Sequence, residues 1–347
     1  MTIVLKFLKE ERLYILILVF VLVFNAIILS HGWGENKAKA PVRSKVSSFE
    51  NQALKRQEME LLLAKDENLL MIFGLVSFLM LVITLLGLVI GIFILPMILT
   101  GRLDIRSLSP PQAKWNIWDV CKVVILFLFF GYMMILTEAF LSRIFPIFRS
   151  DNFRMMVNSS ILDVLAVVFI IYFTVVQYRE PLTALGISAK NFLKNVFYGI
   201  IGYIALIPVL VLMLVIIAVI INVTKYVPGR QPVVELFLKE KGAAFLTYSS
   251  LFAAIIGPVI EELFFRGFLY NALKKYMGIF WAMTATAGLF ASLHAHIVGF
   301  FPIMALGMLL AYIYEKTGTL VSSVTVHIVH NLSMVLLVFL VKQVGII

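Results

Sequence analysis

The stretch PVIEELFFRG, residues 258–267, places three charged side chains in an apolar part of the chain. On a helix, Glu262 and Arg266 lie four residues apart on one face and can form an ion pair. Glu261 points about 100° away from them, and its neighbour four residues later is Phe265. A carboxylate in the middle of a membrane helix costs about 2.5–3.5 kcal/mol. An acid kept there without a partner can take a proton from water, so Glu261 is the candidate general base.

Two later segments contain further polar residues at helical spacing. In FASLHAH, His294 follows Phe290 by four residues, and in SSVTVHIVHNLSMV, His327 precedes Asn331 by four residues, so that His327 and Asn331 share a helix face. Four of the chain's five histidines lie in these two segments. A single histidine in an apolar helix is usually a packed, hydrogen-bonded residue. An acid, two histidines and an amide in three separate spans indicate a functional site instead.

A proline precedes the acids on the same predicted helix. Pro258 has no backbone N–H, and on an α-helix its absence leaves the carbonyl of Ala254, four residues earlier, without a donor. The sequence therefore predicts an opened or kinked helix about one turn before Glu261.

Membrane-spanning helices must position these side chains. Of the 347 residues, 62% are hydrophobic and 14% are charged, and the mean hydropathy of +1.02 is far above that of a soluble domain. Apolar runs of about 20 residues, enough to cross roughly 30 Å of hydrocarbon, recur along the chain. The predicted spans lie near 13–29, 69–97, 120–142, 161–177, 196–223, 245–273, 278–298, 300–314 and 319–341. The predicted fold is all-α, a polytopic transmembrane helix bundle of eight or nine spans.

The polar residues outside the spans define the organisation of the chain. Residues 1–240 are predicted to form an amino-terminal transmembrane region with a polar loop at 31–67, and the second half of this loop, ALKRQEMELLLAKDEN, has helical spacing. Residues 245–341 contain every candidate site residue. The net charge of +10 is spread over short loops, which favours contact with anionic lipid headgroups and not with nucleic acid. Cys121 is the single cysteine, so an internal disulfide and a thiolate metal site are excluded.

Three motifs together resemble those of a known family. They are Glu261-Glu262-x-x-x-Arg266, Phe290-x-x-x-His294 and His327-x-x-x-Asn331. They are similar to the motifs of the CAAX protease and bacteriocin-processing (CPBP, or Abi) family of intramembrane endopeptidases. The similarity includes Gly267 and the turn Tyr-x-x-Thr-Gly, residues 314–318, and it covers roughly residues 245–341. The first 240 residues match only as generic spans.

The resemblance implies a division of roles among these residues. Glu261 and His294 would position and activate a water molecule, and His327 and Asn331 would form an oxyanion hole. The same roles suit the chemistry of peptide hydrolysis, which needs a base for water and donors for the developing negative charge. Glu262 and Arg266 would be a supporting pair that orients the helix.

A metal is the main alternative for this chemistry. Glu261, His294 and His327 would be an acceptable set of three ligands for a catalytic zinc ion. A metal-free site, with no cofactor, is the preferred reading because the chain has no His-Glu-x-x-His helix and because Asn331, a poor zinc ligand, fits better as a hydrogen-bond donor.

The preferred function is an intramembrane endopeptidase that hydrolyses a peptide bond in a membrane-associated or lipidated peptide. The alternatives are a catalytically silent membrane scaffold or bacteriocin-immunity protein, and a proton-coupled transporter, which would also explain buried Glu and His. The expected partners are membrane lipids and a hydrophobic, prenylated or leader-bearing peptide, and no nucleic acid. The expected location is a prokaryotic cell membrane, as a multi-pass protein.

Overall fold

A computed structural model describes residues 10–35, 67–108, 112–226, 232–294 and 296–343. The described residues form helices and connecting turns, so the predicted all-α class is confirmed. Most of the polar loop at 31–67, including the predicted helix in its second half, lies outside the described residues. The helices belong to two compact units, which are described separately.

In its described residues, the first unit contains three α-helices: α1 (Arg12–Glu35), α3 (Ile117–Ile144) and α4 (Asp151–Ile171), the last continuing into a π-helical turn at Tyr172–Gln177. α3 starts with a capping box, in which the Asn116 side chain accepts the Asp119 backbone N–H and the Asp119 carboxylate accepts that of Asn116. Lys122 of the same turn forms an ion pair with Glu11, at 2.7 Å between Nζ and Oε1. These contacts fix the end of α3.

The second unit contains α2 (Glu67–Leu99), α5 (Phe192–Thr224), the short α6 (Pro232–Lys239) and the whole carboxy-terminal region. α5 packs closely on the helix that begins at Leu320. A Cβ added to Gly199 would lie only 2.7 Å from the Ser322 carbonyl oxygen, so only glycine fits at this contact. The core of this unit includes the buried side chains Leu306, Leu310, Ile313 and Val326. The predicted boundary between 240 and 245 stays a prediction.

One continuous helical run, Ala243–Leu293, contains the acidic motif. It consists of α7 (Ala243–Leu251), a first π segment (Phe252–Ile256), α8 (Gly257–Glu262), a second π segment (Leu263–Tyr270) and α9 (Asn271–Leu293). α-Helices rarely contain π turns, and those that occur are frequent at functional sites. Here two of them flank the six residues of α8.

Two further helices complete the region, α10 (Phe300–Thr317) and α11 (Leu320–Gln343). Gly318 caps the end of α10: its φ is +71°, and its N–H donates to the Tyr314 carbonyl oxygen. Glycine is required for space as well, because a Cβ there would lie 2.6 Å from the Leu108 carbonyl oxygen. The predicted Tyr-x-x-Thr-Gly turn is therefore the tight connection between α10 and α11.

The prediction of a multi-pass membrane protein is confirmed. Within the described residues, six helices are long and apolar enough to cross a membrane. One of them is the 51-residue run Ala243–Leu293, which at about 1.5 Å per residue is more than twice the thickness of a hydrocarbon core. It contains two of the predicted spans, joined at Gly278, where φ is 75° and ψ is 175°. The two predicted spans near 13–29 and 300–314 correspond to the shorter apolar helix Arg12–Ile27 and to α10.

Candidate functional site

Glu262 and Arg266 form the ion pair that their spacing predicts, and both side chains are fully buried. Arg266 Nη1 donates to Glu262 Oε1 at 2.7 Å, and Nη2 donates to the Gly307 carbonyl oxygen of α10 at 3.2 Å. The guanidinium also lies 4.8 Å from the centroid of the Phe290 ring. A charge this deep needs such compensation, although within the described residues Arg266 Nε and Glu262 Oε2 have no hydrogen-bond partner. The pair therefore joins the acidic motif to both α9 and α10.

Gly307 allows this close approach. A Cβ at this position would lie 3.0 Å from Ala287 Cβ and 3.5 Å from Arg266 Nη2. Changing Gly307 to Ala should lower the free energy of unfolding by about 1–3 kcal/mol, because the neighbouring atoms must shift. The matched control is Gly288→Ala on α9, where no atom from another part of the described chain lies within 4 Å of an added Cβ. This change should be neutral or stabilising by about 0.5–1 kcal/mol. Thermal unfolding of the detergent-purified variants measures both, and equal effects would contradict the packing argument.

His327 is held between the two glutamates. Its Nδ1 lies 2.9 Å from Glu262 Oε1, so this carboxylate oxygen accepts from both Arg266 and His327. The ring must carry a proton on Nδ1, because an ionised carboxylate can only accept. Its other nitrogen, Nε2, lies 3.7 Å from Glu261 Oε2. The ring is thus oriented by Glu262 and presents Nε2 toward Glu261.

The two glutamates differ in their surroundings. The Glu262 side chain is fully buried, whereas the Glu261 side chain is 41% exposed. Glu261 Oε2 is nonetheless enclosed, and within the described part of the chain no group donates a hydrogen bond to it. One carboxylate is therefore fixed in a network, and the other is accessible and turned toward the histidine.

His294 reaches the site through an aromatic contact. It lies at the end of α9, where its Nδ1 is 2.8 Å from the Phe290 carbonyl oxygen. Because a carbonyl only accepts, Nδ1 is the donor, and Nε2 is left to accept from water or substrate in the neutral ring. The Phe290 ring packs against both histidines, with its centroid 4.7 Å from that of His294 and 5.5 Å from that of His327. Phe290 therefore separates and orients the two imidazoles.

The carbonyl that Pro258 leaves without a donor is not the one that the sequence predicts, and Asn331 contacts it. In the first π segment, Gly257 N–H donates to the Phe252 carbonyl five residues earlier. In this register the carbonyl that Pro258 leaves without a backbone donor is that of Ala253, and not that of Ala254 as an α-helix would require. Asn331 Nδ2 donates to the Ala253 oxygen at 2.9 Å. The same nitrogen carries a second N–H.

The zinc alternative can be compared with this geometry. Among the described residues, no group of three or more His, Cys, Asp and Glu side chains is arranged to hold a metal ion. Each histidine uses its Nδ1 in a hydrogen bond and keeps Nε2 for another partner, an arrangement that metal-binding histidines also have. The choice between a metal-free site and a zinc site stays a prediction.

The structure thus joins Glu262, Arg266 and His327 in one hydrogen-bonded network, with Glu261 facing His327 at 3.7 Å. It links His294 to this network through Phe290 and places Asn331 against the backbone before the acids. Sequence reasoning missed the contact between His327 and Glu262. It also missed the roles of Gly307 and Ala253, although Pro258 indicated that a carbonyl nearby would need a donor.

Comparison with known proteins agrees with the three motifs. Residues 243–333 match the family model described as Type II CAAX prenyl endopeptidase Rce1-like. A Bacillus subtilis (strain 168) protein named "Putative membrane peptidase YdiL" is 26% identical over 85 residues, which make up 24% of this chain and 35% of that protein. This chain thus covers about a third of the length of the curated relative it matches. No solved structure matches the chain. The predicted resemblance is confirmed: residues 243–333 are similar to the Rce1-like family of CAAX prenyl endopeptidases.

Proposed function

We propose that this protein is an intramembrane endopeptidase in which Glu261 activates the attacking water. The observation that carries the proposal is the arrangement of Glu261, Glu262 and His327. A buried, charge-paired glutamate fixes a histidine, and that histidine faces a second, accessible glutamate 3.7 Å away. A purely structural ion pair does not require the second glutamate. The match to a family of membrane peptidases supports the same assignment.

The reaction can be followed through these side chains. Glu261 takes a proton from water, and the resulting hydroxide attacks the carbonyl carbon of the peptide bond. His294 Nε2 holds the same water from the other side. The oxygen of the tetrahedral intermediate accepts from the Nε2–H of His327, in a ring protonated on both nitrogens, and from the second N–H of Asn331. Glu261 then gives its proton to the departing amine, so that the products are a carboxylic acid and an amine.

The substrate class follows from the surroundings of the site. Glu261 lies in a helical run that is apolar enough to cross a membrane, so the scissile bond must enter that environment. A hydrophobic, prenylated or leader-bearing peptide can do so, because its apolar part remains in lipid while the peptide bond reaches the polar side chains. Membrane lipids are the second partner.

Comparison of cells tests this proposal. Peptide termini are determined by mass spectrometry in membranes and medium from cells that make the wild-type protein, cells that make Glu261→Gln at an equal level and cells that lack the protein. A new terminus should occur only with the wild-type protein. If wild type and Glu261→Gln produce the same termini, the proposal is wrong, and loss of proton-driven uptake in the variant would identify a transporter. A scaffold would produce no difference in termini.

We also propose that the reaction proceeds without a metal. Cleavage by the purified protein should keep its rate within about twofold in the presence of a strong chelator, because Glu261 would take the proton from water and Asn331, a poor zinc ligand, would serve as a hydrogen-bond donor. The measurement is the rate of cleavage before and after chelation, and after addition of zinc. Loss of activity on chelation with recovery on zinc addition would contradict the metal-free mechanism.

A further inference from the structure

The polar contacts of α11 lie on both sides of the turn that contains the acids. His327 contacts Glu262 at the end of α8, and Asn331, one helical turn later, contacts the Ala253 carbonyl in the first π segment. Between these two points lie Pro258 and Glu261. α11 therefore contacts the acid-bearing helical run at two residues, Ala253 and Glu262, which are nine positions apart in the sequence.

The backbone between those two contacts is not an ordinary α-helix. A π turn contains one residue more than an α turn, and at about 100° per residue it rotates everything that follows. If the first π segment returned to the α register, Glu261 would rotate by about that angle relative to α7 and would no longer face His327. The position of the catalytic carboxylate therefore depends on this register.

The first π segment lacks one hydrogen bond of its own. Gly257 N–H reaches the Phe252 carbonyl, but the next position is Pro258, which has no N–H to give to Ala253. A carbonyl in an apolar environment is costly without a donor. Asn331 Nδ2, at 2.9 Å, is placed to donate in its stead.

We infer that Asn331 is a positioning residue, whose amide replaces the donor that Pro258 withholds from Ala253 and so holds the π register that directs Glu261 toward His327. This inference extends the proposed function by giving Asn331 a role besides its contact with the oxyanion. The cost of leaving the Ala253 carbonyl without a donor should then depend on whether residue 258 has an N–H.

A double-mutant comparison tests this dependence. Asn331→Ala should lower the thermal unfolding midpoint of the detergent-purified full chain by roughly 3–8 °C, because it leaves a carbonyl without a donor. Asn331→Asp keeps the shape of the side chain but removes its donors, and should be at least as harmful. In the double variant Pro258→Ala/Asn331→Ala, the restored backbone N–H can reach the Ala253 carbonyl. The unfolding midpoint should then recover at least half of the decrease caused by Asn331→Ala. Pro258→Ala alone should change the midpoint much less, because Asn331 still donates.

Pro208 provides the matched control, since it is also a proline inside a helix, α5. Pro208→Ala should combine additively with Asn331→Ala, with no recovery. Equal midpoint shifts for Pro258→Ala in the wild-type and Asn331→Ala backgrounds would overturn the inference.

The second readout is the amount of the Glu261-dependent peptide terminus formed in cells. The double variant should regain at least threefold over Asn331→Ala. Recovery of the midpoint without any recovery of product would mean that the bond stabilises the fold but does not position Glu261, and would also overturn the inference. The midpoints do not depend on peptidase activity, so if no Glu261-dependent terminus exists, the proposed function fails while the stability comparison still decides whether Asn331 supplies the donor.

Discussion

Arg266→Met should lower the free energy of unfolding by about 3–5 kcal/mol. The substitution leaves Glu262 as a buried carboxylate without its cation, since both side chains are fully buried and their closest atoms are 2.7 Å apart. It also removes the donor to the Gly307 carbonyl and the contact with the Phe290 ring. Chemical or thermal unfolding of the detergent-purified protein gives the free energy difference.

Two comparisons show whether charge or packing causes this loss. In Glu262→Gln/Arg266→Met the buried charges are removed together, and residue 262 can still accept from His327, so a large part of the stability should return. Arg154 pairs with Asp151 on the surface of α4, where the carboxylate side chain is 85% exposed, and Arg154→Met should cost less than about 1 kcal/mol. If the double variant is no more stable than Arg266→Met, lost packing is the cause.

The sequence predicts the membrane fold and one of the site contacts well. Hydropathy locates the helices because a bilayer requires each span to be apolar over a fixed length. The spacing of Glu262 and Arg266 predicts their pair because residues four apart on a helix are neighbours whatever surrounds them. Both predictions depend on local geometry alone.

The contacts that the sequence does not predict are those that join distant segments. Glu262 accepts from His327 across 65 residues of sequence separation, and one chain contains no signal for such a pairing. Helical spacing shows that Glu261 and Glu262 point in directions about 100° apart, but not which of them faces the bundle. The structure buries Glu262 and leaves Glu261 partly exposed.

The π segments are a third such feature. No residue type is specific for a π turn, and Pro258 is compatible with either register. The α register predicts a free carbonyl at Ala254, whereas the structure places the Asn331 amide on Ala253. The tertiary contact is consistent with the π register, because α11 supplies its donor to the Ala253 carbonyl, the one that this register leaves without a backbone donor.

The two adjacent glutamates should respond differently to the same substitution. Glu261→Gln should reduce turnover by about 10²–10⁴-fold, the usual contribution of a general base, and should leave the unfolding midpoint close to that of the wild type. The reason is that its side chain is 41% exposed and lies 3.7 Å from His327 Nε2, too far for a hydrogen bond. Turnover is followed as formation of the Glu261-dependent terminus by protein reconstituted in lipid.

Glu262→Gln serves as the matched substitution one residue away. It removes the negative charge that faces Arg266 and weakens the acceptor for His327 Nδ1. The free energy of unfolding should therefore fall by about 3–5 kcal/mol, because the buried arginine loses its counter-charge. Its turnover should fall through misplacement of His327, and Glu262→Asp, which keeps the charge, should recover more stability than Glu262→Ala. The opposite pattern, a stable but inactive Glu262→Gln and a fully active Glu261→Gln, would exchange the two roles. In that case Glu262, in the buried network, would be the catalytic base, and the accessible carboxylate of Glu261 would have no role in the reaction.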